Sequence, residues 1–252
     1  MKLNIGLTYD LRREYLAEGY NDEDVAEFDS DSTIDELEKA IRALGHATDR
    51  IGNARALCRR LVQGERWDLV FNVAEGLHGR NREAQVPAIL ELYDIPYTFS
   101  DPLVCAATLD KAVAKRLVRD AGLGIAEFHV VRTLEDIDQI RIPYPLFAKP
   151  VAEGTGKGID KTSRIDTHAE LVTVCRALLD KYAQPVLVEE YLPGREFTTG
   201  ILGTADNARI LGTMEVALKA EARRRKIETD IGRRIGYVEI GAGRQRRAEI
   251  TA

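Results

Sequence analysis

The amino-acid sequence predicts an α/β protein in which a parallel, helix-covered sheet is followed by antiparallel strands. In roughly the first hundred residues, short apolar strands alternate with amphipathic helices, which is the pattern of a parallel α/β unit. One of these strands, Trp67–Val73, is almost continuously apolar, as expected for a strand covered on both faces. Later, segments near Glu196–Leu202 and Ala208–Val216 follow one another without a helix between them, which predicts an antiparallel meander.

Besides Trp67–Val73, the first region is predicted to contain two strands and three helices. Lys2–Thr8 predicts a buried strand. The next helix is expected to begin at a capping box formed by Ser32 with Asp35 and to end at Gly45, which suits a left-handed cap. Its apolar residues recur on one face: Ile34, Leu37, Ile41 and Leu44. Three further elements are predicted: strand His46–Ile51, helix Ala54–Val62 and helix Glu83–Tyr93.

After Pro102 the pattern changes from alternating strands and helices to a sheet with fewer helices. Two helices are predicted, around Asp110–Ala121 and at Thr167–Tyr182. Strands are predicted near Phe128–Val131, Pro145–Lys149, Ile159–Ile165 and Pro185–Tyr191. We therefore place a domain boundary near residue 101. Residues 219–252 differ again, since they combine clustered arginines with no sustained apolar period, and we expect this tail to be poorly packed.

Composition excludes several classes of protein. The 252 residues contain no stretch approaching 18 uninterrupted apolar residues, and the first residues are too short and alternating for a signal peptide, so we expect a soluble, cytoplasmic protein without a membrane partner. Three widely separated cysteines argue against a disulfide set. The tail holds 10 Lys and Arg against 5 Asp and Glu, yet its one aromatic residue is Tyr237, which argues against nucleic acid as a partner.

The most informative segment is the glycine-rich loop, which we define as Val151–Gly158. Three glycines at alternate positions between Glu153 and Gly158 allow backbone N–H groups to approach phosphate oxygens closely. The loop is not a Walker A motif, because Val151 and Gly158 stand where that motif needs Gly and Ser or Thr. A hairpin laid over a triphosphate is one interpretation, and an ordinary hairpin loop is the other.

Charged residues around this loop point to an anionic ligand. Lys149 ends a strand directly before the loop, and Lys111 begins a helix, where a lysine gains nothing from the helix dipole. The alternative is that both lysines are simply solvated. Further along, the strand Pro185–Tyr191 leads into a turn and Glu196, a hinge that can offer backbone groups to a base and a carboxylate to a ribose. A charged β-hairpin is the structural alternative.

Three segments follow one another in the chain: Asp110-Lys111, Lys149 with the glycine-rich loop, and the strand and turn from Pro185 to Glu196. In this order they resemble the ATP-grasp superfamily. Within it the chain looks most like D-alanine–D-alanine ligase and its relatives. The segment Gly76–Gly79 and the block Leu90–Asp101 are also similar to this family. The resemblance covers roughly residues 65–217. It implies an N-terminal parallel α/β (pre-ATP-grasp) domain on the substrate side over 1–101, followed by an incomplete ATP-grasp α+β domain that binds nucleotide over 102–218, and then the atypical basic tail.

The resemblance also implies a role for each matching residue. Lys111 and Lys149 would hold the ATP phosphates, Glu196 would bind ribose, and His78 with Gly79 would lie beside the substrate. The lid over the phosphates would consist of Glu153, Gly154, Thr155, Gly156 and Gly158. The adenine contacts would come from Glu189, Glu190, Tyr191 and Leu192. The implied activity is an ATP-dependent carboxylate–amine ligase with an acyl-phosphate intermediate, using ATP, Mg²⁺ and a small amino-acid-like substrate, as a possible homodimer.

Two departures from the family pattern leave alternatives open. The family's first loop carries a Glu for the substrate amine, whereas this chain offers Asp10 or Glu14 without a motif match. The family takes its magnesium ligands, an Asp and a Glu-x-Asn pair, from its C-terminal part, and the Glu-x-Asn pair cannot occur in this tail because no Asn follows Asn207. We therefore expect no metal site in the tail and a truncated or frame-shifted copy. The alternatives are a non-catalytic ATP-binding remnant and an ATP-grasp ligase for another amino or carboxylic acid.

Overall fold

The computed structural model describes residues 1–217 and 235–239. By their contacts these residues form two compact units. The first unit comprises Met1–Ile125 together with Val151–Lys157, and the second comprises Ala126–Pro150 and the described residues from Gly158 onward. The sequence-based boundary near residue 101 falls inside the first unit and remains a prediction.

The first unit is built around a three-stranded parallel sheet, as the sequence predicted. The strands are β1 (Asn4–Thr8), β2 (Ala47–Gly52) and β3 (Leu69–Asn72), in the order β2-β1-β3. Strand β1 therefore lies in the centre and pairs in parallel with both neighbours. Because the carboxyl ends of parallel strands meet at one edge, the segments after β1 and β3 lie together there.

Helices cover both faces of this sheet. The helices of the first unit are α1 (Arg12–Ala17), α2 (Asp31–Ala43), α3 (Ala54–Val62), α4 (Gln85–Leu92), α5 (Pro102–Leu109) and α6 (Lys111–Asp120). In strand β3, Val70 is buried in an apolar cluster that includes residues of α3 and α4. Its neighbours Leu69 and Phe71 pack against a second apolar cluster, which includes residues of α2. Successive strand residues point to opposite faces, so the two clusters lie on opposite sides of the sheet.

The helix starts show where sequence reasoning was right and where it was wrong. Helix α2 is capped by Ser30, whose Oγ accepts the Thr33 amide at 3.2 Å, and not by the predicted Ser32, which lies inside the first turn. The predicted end is confirmed, since Gly45 has φ +92°. Helix α5 was missed because its residues are almost all apolar and show no helical period, although Asp101 caps it and proline opens it.

The second unit contains two antiparallel sheets. In the first, β4 (Phe128–Val131), β5 (Leu146–Pro150), β6 (Arg164–Ile165) and β7 (Val186–Glu190) follow the order β4-β7-β5-β6. Helix α7 (His168–Tyr182) packs on it through Leu171 and Cys175, and begins with a capping box of Thr167 and Glu170. The predicted strand near Ile159–Ile165 is shorter than expected, because the Asp160 carboxylate accepts the Thr162 amide and holds a turn there.

The predicted meander is confirmed in the second sheet of this unit. Strands β8 (Glu196–Leu202), β9 (Arg209–Ala217) and β10 (Ile235–Glu239) pair in the order β10-β9-β8, each antiparallel to its neighbour. Strand β10 was not predicted, since it lies in the arginine-rich tail. The expectations of loose packing and of a missing metal site elsewhere in the tail concern residues outside the described part. Within that part, no helix has the length and apolar character needed to cross a membrane.

Candidate functional site

The predicted site residues divide between the two units. Those of the first unit are His78, Gly79, Lys111, Glu153, Gly154, Thr155 and Gly156. Those of the second unit are Lys149, Gly158, Glu189, Glu190, Tyr191, Leu192 and Glu196.

The glycine-rich loop turns tightly through left-handed backbone. Thr155, Gly156 and Gly158 have φ angles of +49°, +74° and +75°. The Lys157 amide donates to the Gly154 carbonyl at 2.9 Å, and the Lys157 ammonium forms an ion pair with Glu153 at 3.0 Å. The side chains of that pair are largely buried, whereas Thr155 is exposed. The loop therefore has an ordered base and an exposed tip.

Lys111 lies directly against the base of this loop. It is the first residue of α6, whose start is fixed by the Asp110 carboxylate, an acceptor for two backbone amides at 3.0 Å. The Lys111 ammonium donates to the carbonyls of Val151, at 3.4 Å, and of Glu153. Its own amide also donates to the Val151 carbonyl at 3.1 Å. The structure thus brings one predicted phosphate-binding lysine to the predicted phosphate-binding loop.

Arg80 adds charge beside the same helix start. Its guanidinium forms an ion pair with the Asp110 carboxylate at 2.5 Å. Burial raises the pKa of Asp110, but hydrogen bonds from the Val113 amide and from Arg80 outweigh it, so the pKa of this carboxyl lies below its ordinary value. Asp110 consequently stays ionised as the cap of α6, and Lys111 keeps a defined position.

In the second unit, Lys149 pairs with Glu189 across neighbouring strands. The ammonium and carboxylate are 2.5 Å apart, and their side chains are 20% and 10% exposed. Phe147 lies opposite Glu189 in the register of β5 and β7, and its ring stacks on Tyr191 with centroids 6.3 Å apart. The Arg164 guanidinium lies 5.1 Å from the Tyr191 ring. Two predicted residues of the hinge, Glu189 and Tyr191, are therefore held by neighbours in the sheet.

The rest of the hinge is open to solvent. The Glu190 amide donates to the Glu127 carbonyl at 2.9 Å, and the Tyr191 amide donates to the Pro145 carbonyl at 3.2 Å, which fixes the backbone where β7 ends. The side chains of Leu192 and Glu196 are exposed. The hinge therefore combines an anchored backbone with exposed side chains.

The loop that carries His78 and Gly79 is anchored by a buried carboxylate. Asp10 is only 2% exposed and accepts the amides of Glu75, at 3.1 Å, and of Gly76, at 2.9 Å. Its other oxygen accepts the Tyr15 hydroxyl at 2.5 Å. Both oxygens of Asp10 thus bind groups of the chain itself, which argues against Asp10 as the ligand of a substrate amine. Glu14, the other residue considered, is exposed on α1.

His78 itself lies at the surface of the first unit. Its Nε2 atom is 3.4 Å from the Tyr20 hydroxyl, and its carbonyl accepts the Gln85 side-chain amide at 2.8 Å. Gly79 has φ +101°, in the left-handed region that favours glycine. His78 is therefore exposed to a ligand while its backbone is held in place.

Sequence reasoning missed two residues that contact the glycine-rich loop, Glu27 and Arg82. Only a weak sequence signal pointed toward Glu27, which is one of ten carboxylates between Glu18 and Glu38, a stretch with no Lys or Arg. Arg82 follows the His78 loop and opens the turn before α4. Their contacts join segments that are far apart in sequence, and a local sequence pattern cannot predict such contacts.

Glu75 is a half-buried carboxyl near these residues. Burial, and then the negative charges of Glu83 and Glu27, raise the pKa of Glu75 to about 7, while Arg82 opposes the change. A carboxyl with a pKa near neutrality titrates in the range where proteins are commonly assayed. The stability of the first unit should therefore depend on pH through this group.

We expect Glu75→Gln to stabilise the chain more at about pH 8.5 than at about pH 5. Because the folded pKa lies above 4.5, the contribution of this group to stability is full below pH 4.5 and is lost as the pH rises through about 7. One pKa unit corresponds to about 1.4 kcal/mol, and partial exposure reduces the expected difference to about 1–2 kcal/mol. Urea unfolding at the two pH values measures it, with the exposed Glu18→Gln as control. An equal effect of Glu75→Gln at both pH values would contradict the expectation.

The part of the chain that the structure describes contains no group of three or more His, Cys, Asp and Glu side chains arranged to hold a metal ion. In nucleotide sites magnesium usually binds one or two carboxylates together with substrate phosphates, and no described residue is assigned to the metal.

Part of the chain matches a known protein family and curated relatives. Residues 117–229 match the family model described as D-ala D-ala ligase C-terminus, which extends past residue 217, where the sequence resemblance was expected to end. The uncharacterized protein y4sG of Sinorhizobium fredii is 38% identical over 139 residues, 55% of this chain and 40% of that protein. The D-alanine–D-alanine ligase of a Chelativorans species is 32% identical over 177 residues, 70% of this chain and 54% of that enzyme. The chain thus spans about half the length of the curated relatives it matches.

Solved structures show the same architecture. The VanG D-Ala:D-Ser ligase from Enterococcus faecalis aligns with a TM-score of 0.60 at 19% identity, covering 99% of this chain and 90% of that one. The D-alanine–D-alanine ligase from Bacillus anthracis, solved with ATP, aligns with a TM-score of 0.58 at 16% identity, covering 98% and 85%. At these identities the likeness establishes the fold.

Proposed function

We propose that this chain, a D-alanine–D-alanine ligase-like protein of the ATP-grasp superfamily, binds ATP and takes part in ATP-dependent carboxylate–amine ligation. The observation that carries the proposal is the glycine-rich loop, with its left-handed turn and with Lys111 against its base. Successive backbone amides in such turns form concave sites for anions, and an ammonium beside them adds charge-assisted hydrogen bonds. A nucleotide polyphosphate is the ligand that suits this combination.

The sequence resemblance also assigns nucleotide contacts to residues of the second unit. Lys149 would contact phosphate, as the sequence resemblance implies, and the backbone at the end of β7, from Glu189 to Leu192, would meet the edge of adenine. Glu196 would accept hydrogen bonds from ribose hydroxyls. The stack of Phe147, Tyr191 and Arg164 supports this assignment, because it orders the hinge next to Lys149.

The proposed chemistry proceeds in two steps. A carboxylate oxygen of the substrate attacks the γ-phosphorus of ATP, which forms an acyl phosphate and releases ADP. The nitrogen of an amine then attacks the acyl carbon, forming an amide and releasing phosphate and a proton. The lysines would stabilise the transferring phosphoryl group, and the glycine-rich loop would exclude water that hydrolyses the acyl phosphate. Magnesium, when bound to ATP, neutralises phosphate charge.

His78 and Gly79 would lie beside the amino-acid-like substrate. His78 is exposed, and its loop is fixed by the hydrogen bonds to Asp10. We propose D-alanine as the first substrate to test. Another amino or carboxylic acid is the second candidate, favoured by the engagement of both Asp10 oxygens within the chain.

A non-catalytic ATP-binding protein is the other candidate function. The observation that favours it is that no Asn follows Asn207, so the Glu-x-Asn magnesium ligands of the family cannot occur in the tail. Such a protein would keep the loop and the hinge but would not transfer the phosphoryl group.

The test is an assay of ADP and peptide formation by the complete chain. The chain is incubated with ATP, Mg²⁺ and D-alanine, and then with a panel of other amino and carboxylic acids. We expect ADP release that depends on D-alanine, with dipeptide as product. Release that depends on another acid selects the second substrate class. ATP binding without ADP release from any substrate selects the non-catalytic function.

A further inference from the structure

We propose that Glu27 and Arg82 are positioning residues that pin the base of the glycine-rich loop and so preorganise it for phosphate. The inference rests on the proposed function, because it assigns a role in nucleotide binding to that loop. Neither residue belongs to the motifs from which the nucleotide site was predicted. Both lie in the first unit, as does the part of the loop that they contact.

The two side chains form a buried ion pair, and each of them also makes a hydrogen bond to the backbone of the loop. Arg82 Nη2 and Glu27 Oε2 are 2.7 Å apart, and the side chains are 7% and 6% exposed. The second terminal nitrogen of Arg82, Nη1, donates to the Ala152 carbonyl at 2.7 Å. The second carboxylate oxygen of Glu27, Oε1, accepts the Gly154 amide. Each charged group therefore satisfies its partner and one backbone group of the loop.

The approach of Glu27 explains one of the three glycines. A Cβ added at Gly154 would collide with the Glu27 carboxylate. Gly156 and Gly158, in contrast, have positive φ angles, so their backbone conformation alone favours glycine. A Cβ at position 154 would thus force the Glu27 carboxylate to shift, which ties the glycine pattern of the loop to a residue 127 positions away in sequence.

Lys111 provides a third contact at the same base, through the carbonyls of Val151 and Glu153. The contacts of Arg82, Glu27 and Lys111 all fall on residues 151–154, whereas Thr155 at the tip is exposed. A fixed base with an exposed tip holds the loop amides near a bound conformation before the ligand arrives. Preorganisation of this kind increases affinity because less ordering is left to the binding step.

Trypsin cleavage after Lys157 tests the pinning without nucleotide. Lys157 lies in the loop, and mass spectrometry identifies its cleavage among the other products. In Glu27→Ala and Arg82→Ala we expect cleavage after Lys157 to become at least tenfold faster, while cleavage after Lys39 in α2 stays unchanged. ATP affinity, measured by calorimetry, should fall by about tenfold. Arg12→Ala is the matched control, because it removes an arginine of the same unit that pairs at the surface with Asp22.

Conservative variants separate positioning from general stability. Glu27→Gln keeps an oxygen for the Gly154 amide, and we expect it to restore most of the resistance at Lys157. If either Ala variant fails to fold, the double variant Glu27→Leu, Arg82→Met decides, since it removes both charges and both hydrogen bonds to the loop but keeps most of the buried side-chain volume. Cleavage after Lys157 no faster than in Arg12→Ala, in a folded Ala variant or in this double variant, would overturn the inference.

The outcomes distinguish this inference from the proposed function. Faster cleavage at Lys157 in a chain that binds no ATP would uphold the pinning and refute the nucleotide site. ATP binding by the parent chain, with unchanged cleavage and affinity in the folded variants, would refute the pinning and leave the nucleotide site intact.

Discussion

Replacing Lys149 with Ala is expected to weaken ATP binding by about 1.5–3 kcal/mol, or roughly 10- to 150-fold. The variant removes an ammonium that the sequence resemblance assigns to the ATP phosphates, where it would add charge-assisted hydrogen bonds. Isothermal titration calorimetry of the parent chain and the variant measures the loss directly.

The ion pair with Glu189 complicates this experiment and dictates its controls. Without Lys149, the largely buried Glu189 carboxylate loses this ion pair, which is expected to lower the free energy of unfolding by up to about 3–5 kcal/mol. The double variant Lys149→Ala, Glu189→Gln removes the buried carboxylate charge as well and should recover stability without recovering affinity. Lys181→Ala removes an exposed lysine of the same unit and should leave affinity unchanged. If a folded Lys149→Ala variant binds ATP with the affinity of the parent chain, the assignment of Lys149 to the ATP phosphates is refuted.

Gly158→Ala is expected to destabilise the second unit by about 2–5 kcal/mol. The residue has φ +75°, which costs an alanine about 1–2 kcal/mol, and an added Cβ would lie 2.5 Å from Cγ of Pro150 and 3.0 Å from Cε2 of Tyr182. Relieving such overpacking typically costs a further 1–3 kcal/mol or so. Urea unfolding followed by circular dichroism and tyrosine fluorescence measures the change.

Gly122→Ala is the matched control for backbone strain. Gly122 has a similar φ of +78°, but a Cβ there would meet no atom within 4 Å. We therefore expect it to lose only the strain energy, about 1–2 kcal/mol. If both substitutions cost the same, the contact with Pro150 and Tyr182 does not restrict position 158.

The regular elements were largely predictable because hydrophobic period and turn residues determine them locally. Helix α3 and strands β4 and β8 have the predicted bounds, and the parallel and antiparallel regions were separated correctly. The misses have physical causes. Ser30 and Ser32 both resemble caps, and only the backbone conformation decides between them. Helix α5 has no polar face, so its sequence lacks the amphipathic period from which a helix is predicted.

The candidate site was predictable only in part. Lysines and glycines that suit phosphate occur in short local patterns, so the loop and its lysines could be found. The contacts of Glu27 join residues 55 and 127 positions apart, and the three hydrogen bonds to Asp10 include two from residues 65 and 66 positions away. Contacts of that range arise from the packing of the α/β unit and leave no local signature in the sequence.

Equilibrium binding of ATP to the complete, unmodified chain is the measurement that tests the central claim most directly. Calorimetry with ATP and Mg²⁺, and with GTP for comparison, should show saturable binding of one ATP per chain and weaker binding of GTP, because the hinge at Glu189–Leu192 would contact the edge of adenine. A folded chain that shows no saturable binding of ATP at millimolar concentration would contradict the claim that these loops form a nucleotide site.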